Sequence, residues 1–161
     1  MLARAAAHIL ARQELGFLVS RGAEKFSFGD ASLDQKIRPL PFSYEDESAV
    51  LARLNAHAPF DVVLSWIRPT AEPLRNAIAN HVAPGGLLLE VLGSRSGRPG
   101  GFADSRAEAM ETIPSIIYAQ LVLGMVREGD ETRWHSHEEI SSGAICLFEN
   151  PVARHVLGEI P

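Results

Sequence analysis

Leu2, Ala5, Ala6, Ile9 and Leu10 recur at helical spacing, and the helix formers between them predict an amphipathic helix over residues 2–13. The period then changes. Residues 15–20 (LGFLVS) form a short continuous apolar run closed by Arg21-Gly22, which predicts a strand buried on both faces. Residues 22–36 mix polar and apolar positions around Gly29, Asp30, Asp34 and Lys36 and read as a loop or short hairpin. Residues 37–42 predict an edge strand, because Pro39 and Pro41 each remove a ladder donor. A helix over 43–56 follows, with Glu45, Asp46 and Glu47 in its first turn and Val50, Leu51 and Leu54 on one face. Residues 60–67 (FDVVLSWI) give the clearest strand signal, stopped by Pro69. Thr70 is placed as the cap of the next helix, whose stripe is Leu74, Ala77, Ile78 and Val82 and whose end is Pro84-Gly85-Gly86.

Residues 86–92 (GLLLEVL) predict another buried strand, 93–101 (GSRSGRPGG) a loop, and 103–110 a surface helix. A long apolar strand over 116–126 ends at the turn Glu128-Gly129-Asp130. Ser136 with Glu139 three residues on forms a capping box for a helix that carries Ile140, Ala144, Ile145 and Leu147 and stops near Asn150-Pro151. The tail over 152–161 is weakly apolar. Buried strands separated by helices imply an α/β, doubly wound, mostly parallel sheet covered on both faces.

The chain has 161 residues, 46% of them hydrophobic and 22% charged, which fits a single domain of ordinary globular composition. Fifteen basic against twenty acidic residues give a net charge of −5, so no global positive field recruits nucleic acid. No apolar stretch approaches the ~20 residues of a membrane helix, and the N-terminal run is too short and broken for a signal peptide, so a cytoplasmic location is expected. Cys146 is the one cysteine, which excludes an intrachain disulfide and multi-cysteine zinc sites and leaves apolar core filling as its expected role.

Residues 60–69 (FDVVLSWIRP), 88–97 (LLEVLGSRSG) and above all 118–143 (YAQLVLGMVREGDETRWHSHEEISSG) resemble a small bacterial group of atypical short-chain dehydrogenase-like Rossmann proteins. The resemblance covers most of the chain. It implies an NAD(P)-dependent oxidoreductase fold, NADP or NAD as cofactor, a small-molecule carbonyl or alcohol substrate, and a homo-oligomer packed through a C-terminal helix and strand. Such proteins open with a strand and a glycine-rich turn that cradles the pyrophosphate. Here Met1-Leu2-Ala3 leads straight into the first helix, so that strand, which would lie between those at 15–20 and 60–67, is expected to be missing together with its phosphate cradle. The Tyr-x-x-x-Lys pair of the group is also unmatched, since Tyr118 is followed by Ala119-Gln120-Leu121-Val122 and the only lysines are Lys25 and Lys36.

The candidate residues cluster at predicted strand ends, where open α/β sheets bind ligands. Ser20 and Arg21 sit where an arginine meets an adenosine 2′-phosphate, with a solvated strand end as the plain alternative. Ser65, Trp66 and Gly93 share the same edge as further cofactor contacts. By resemblance Ser94 is similar in placement to a catalytic serine, and Tyr118 is the candidate acid approaching it. Turn chemistry at Ser94 and a core role for Tyr118 are the competing readings. Arg95 and Arg98 offer cations to a phosphate, although the loop lacks the strict glycine spacing of a phosphate fingerprint. His135, His137, Glu138 and Glu139 are metal-ligand types, but their side chains diverge at a helix start, so no metal is expected; Trp134 is expected to be buried against that helix. A non-catalytic nucleotide-binding or oligomeric interaction protein remains the alternative function.

Overall fold

A computed structural model describes residues 1–43, 46–113 and 115–160. The order is α1 (Ala3–Leu10), β1 (Gly16–Ser20), α2 (Ala31–Asp34), β2 (Ile37–Pro41), α3 (Glu47–Asn55), β3 (Phe60–Ser65), α4 (Glu72–Ala79), β4 (Val82–Leu92), α5 (Phe102–Glu111), β5 (Ile117–Leu123), β6 (Val126–Glu128), β7 (Glu131–Arg133), α6 (His137–Glu149) and β8 (Arg154–Leu157). The protein is α/β, with an all-parallel four-stranded sheet in the order β3-β4-β5-β8 and a separate parallel pair, β1-β2.

Strand alternation sorts the core of the larger sheet. Leu87, Leu89 and Val91 of β4 and Ala119, Leu121 and Leu123 of β5 pack with Ala5 of α1 and Ile140, Ala144 and Leu147 of α6. On the opposite face Leu88 meets Ala79 of α4 and Met110 of α5. Both faces are therefore covered, which is why these strands read as unbroken apolar runs.

β1 and β3 lack a common ladder: among the described residues β1 pairs with β2 and β3 with β4. Gly16 N donates to Lys36 O, and Ser20 O accepts from Phe42 N. In a parallel ladder alternate residues face opposite sides, so Phe17 and Val19 turn their backbone groups away from β2. The Phe17 ring nevertheless meets Phe60 of β3 at 5.9 Å and stacks on His57 at 4.5 Å. The apolar residues of β3 are only half-buried, while Leu87, Leu88, Leu89, Val91 and Leu92 of β4 are fully buried.

Several expectations need correction. Residues 22–36 are not a hairpin: they hold a short 3-10 turn and then α2, capped by Asp30, whose carboxylate accepts from Ser32 N and Leu33 N. α3 starts at Glu47; Glu45 lies outside the described residues. Ala71, not Thr70, is the N-cap of α4, and Val82 belongs to β4 rather than to the helical stripe. Pro84-Gly85-Gly86 does not end a helix but forms an irregularity inside β4, where the register with β3 jumps from Phe60↔Val82 to Val62↔Leu87 and Gly85 adopts φ 78°. The strand at 116–126 is β5 followed by the β6-β7 hairpin, turned at Gly129 with φ 65°. The tail supplies β8, the fourth parallel strand. The capping box of α6 is present, with Ser136 and Glu139 satisfying each other's backbone N–H. Cys146 is exposed on α6 instead of filling the core, and Trp134 is 63% exposed instead of buried.

Candidate functional site

One polar rung crosses the sheet. Ser65 of β3, Glu90 of β4, Gln120 of β5 and Arg154 of β8 are successive partners in register, all on the face toward α4 and α5. A buried carboxylate in such a place must be paired. Glu90 Oε2 accepts from Arg106 Nε at 2.9 Å and from the Tyr118 hydroxyl at 2.7 Å, and Oε1 accepts from Arg106 Nη2 at 3.3 Å. Arg75 of α4 brings a second guanidinium to 3.9 Å from Oε1. Arg106 also donates to Asn76 Oδ1 and to the Arg75 carbonyl.

The network continues outward. Gln120 Nε2 donates to the Ala103 carbonyl at 2.7 Å and to the Tyr118 oxygen at 3.0 Å, and its Oε1 accepts from Arg154 Nε at 2.7 Å. Arg154 also donates to Asp104 Oδ1 at 2.7 Å. That contact, with a further bond from Gly100 N, holds the Asp104 carboxyl below the ordinary carboxylate range. The Ser65 hydroxyl is buried without a hydrogen-bond partner among the described residues.

This geometry separates the two residues paired as candidate catalysts. Tyr118 pairs with Leu88 near the amino end of β5, whereas Ser94 follows Leu92, the partner of Val122. The rungs between Leu88 and Leu92 alone span about 13 Å at roughly 3.3 Å per residue. Burial, and then the neighbouring Glu90 charge, push the Tyr118 pKa upward, opposite to what proton transfer near neutral pH requires. Tyr118 is therefore a structural donor inside the sheet.

The remaining candidates do sit at the carboxyl edge, in separate places. Ser20 and Arg21 close β1, where Arg21, Pro41, Phe42, Ser43, Asp46 and Arg53 line a crevice of about 380 Å³. The guanidinium groups of Arg21 and Arg53 make no hydrogen bond or ion pair among the described residues. Arg53, on α3, escaped the sequence reading because it looks like an ordinary solvated helix position. Trp66 follows Ser65 and is 42% exposed, Gly93 is exposed, and Ser94 is buried at the wall of a second cleft of about 420 Å³.

The histidines and carboxylates of residues 135–139 do not converge. His135 Nε2 hydrogen-bonds the Leu157 carbonyl at 2.8 Å, and Glu139 is held by Arg133 at 2.9 and 3.0 Å. Among the described residues no three His, Cys, Asp or Glu side chains are grouped to hold a metal. Among the described residues no helix is long and apolar enough to cross a membrane. Compared with known proteins, the chain matches no family model and no curated protein.

Proposed function

We propose that this chain is a Rossmann-like nucleotide-binding domain of short-chain dehydrogenase type that takes the adenosine phosphate end of NADP, without hydride transfer through Tyr118. The observation that carries the reading is the crevice at the carboxyl ends of β1 and β2, lined by two guanidinium groups that have no partner among the described residues. Arg21 and Arg53 suit a 2′-phosphate, since a guanidinium binds such a group through paired, charge-assisted hydrogen bonds. NADP, when bound, supplies the nicotinamide redox centre; the part this chain plays is to hold the adenosine end.

Calorimetric titration of 2′,5′-ADP, NADPH and NADH tests this reading. Saturable binding of the first two, weaker binding of NADH, and a loss of about tenfold or more in Arg21→Ala and Arg53→Ala are expected. Absence of saturable heat, or affinities unchanged in both variants, would overturn it. A homo-oligomer has a candidate surface at the β8 edge, where Val152 and Val156 are 52% and 40% exposed. Light scattering showing a monomer at working concentration would remove that part.

A further inference from the structure

We propose that the cleft between the Ser94–Gly97 turn and the β6-β7 hairpin is a second binding site, for a planar ring carrying a phosphate or carboxylate. Ser94, Arg95, Arg98, Arg127, Trp134 and Ile160 are among its walls, and its volume of about 420 Å³ suits a small molecule. In a chain of net charge −5, three guanidinium groups gather here around one carboxylate, Glu159, which Arg127 Nε already engages at 3.2 Å. The guanidinium groups of Arg95 and Arg98 make no hydrogen bond or ion pair among the described residues. The site therefore carries surplus positive charge aimed at solvent, the arrangement that recognises an anion through forked hydrogen bonds.

The walls are built rather than loose. A Cβ on Gly97 would lie 2.7 Å from Val122 Cγ1 and 2.8 Å from Ile160 Cδ1, so the arginine-bearing turn rests directly on β5 and the tail. Met125 and Glu159 exchange backbone hydrogen bonds of 2.7 and 2.9 Å across the floor. Such pre-organisation lowers the ordering cost of binding. Trp134 also lines the cleft, and its indole is left largely in water and offers a flat face for stacking. Its neighbour Arg133 is fixed by Glu128 and Glu139, which orients the segment. Cation and indole together select a ring with an attached anion.

The site shares no residue with the Arg21 crevice and stands or falls separately from it. Trp66 and Trp134 are the only tryptophans, so Trp66→Phe leaves Trp134 as the sole indole reporter. Fluorescence titration of that variant with phenyl phosphate and with benzoate should give a saturable change, at least about tenfold tighter than phenol. The tighter of the two identifies the anion. Adding Arg95→Ala and Arg98→Ala should weaken it about tenfold or more, and Arg21→Ala should leave it unchanged. Circular dichroism of each variant confirms the fold. No saturable change, an equal response to phenol, or unaltered affinity without Arg95 and Arg98 would overturn the proposal.

Discussion

Replacing Glu90 by Gln removes one negative charge from the middle of the sheet with almost no change of shape. Arg106 would keep its bonds to Asn76 and the Arg75 carbonyl but lose the carboxylate that faces its Nε at 2.9 Å, and Arg75 would lose the charge at 3.9 Å. Both guanidinium groups stay buried, with side chains at most 2% exposed. Breaking a buried pair from one side costs about 3–5 kcal/mol, and the acceptor that the amide retains sets the expectation near ~3 kcal/mol. For a domain of this size that is a fall of about 6–12 °C in Tm, and about 1–2 M in the urea midpoint. Far-UV circular dichroism during urea unfolding reads the difference. Glu90→Gln with Arg106→Met should be no less stable than Glu90→Gln alone, because the second change removes a stranded charge. A single variant within ~1 kcal/mol of the parent, or a double variant markedly worse than the single one, would refute the claim that this carboxylate neutralises the two arginines.

The Arg133 hydrogen bonds, followed by that from Ser136 N, lower the Glu139 pKa from its ordinary 4.5 to about 2. A depressed carboxylate stabilises above its unfolded pKa and loses that contribution as pH falls toward the folded one. Tm should therefore decline between about pH 5 and pH 2, with a shallower acid limb in Arg133→Ala; equal slopes would remove the pair from the acid response. Gly124→Ala drives a Cβ into the backbone carbonyl of Glu159, so a loss of about 1–3 kcal/mol or more is expected in thermal melts, and a neutral result would mean that the β5 end is not pinned there. Cys146, exposed on α6, should react with a thiol reagent in the native protein without unfolding; reaction only in denaturant would contradict its placement. Amide hydrogen exchange should be slower in β4 and β5 than at Phe17 and Val19, whose backbone groups face away from β2; equal protection would imply a partner along that edge.

Where local chemistry decides structure, the residues announced it. Ser136 and Glu139 specify the start of α6, and Pro39 with Pro41 keep β2 at an edge. β8 was hidden because Arg154 and His155 break the apolar pattern, and Arg154 is polar for a tertiary reason: it answers Gln120 in the rung and Asp104 on α5. Pro84-Gly85-Gly86 reads as a terminator because an irregularity within a strand has the same composition as a stop. The separation of Ser94 from Tyr118 was within reach, since Tyr118 lies near the start of its strand and Ser94 follows the end of its own, and parallel strands put starts and ends at opposite edges. Glu90 and Gln120 carried a signal as well: each is a polar residue inside an apolar run that is buried on both faces. What no local pattern encodes is the meeting of Arg53 with Arg21, or of Arg127 with Arg95 and Arg98, because each pair is joined only through the packing of different elements.

The buried rung and the exposed arginines are linked by α5. Its first turns are held from three sides: Ala103 by Gln120, Asp104 by Arg154, and Arg106 by Glu90. Asp104 in turn accepts from Gly100 N at 2.7 Å, which fixes the end of the loop that precedes the helix. The other end of that loop leaves β4 just after Leu92, buried at 2%. Residues 93–101 are thus clamped between a strand end and a helix start that the same polar network sets. A sequence this rich in glycine would otherwise lose considerable backbone entropy on ordering. The charges in the interior, costly to desolvate as they are, thereby hold Arg95 and Arg98, which have no side-chain partner among the described residues, in one place at the carboxyl edge, where the proposed anion would meet them.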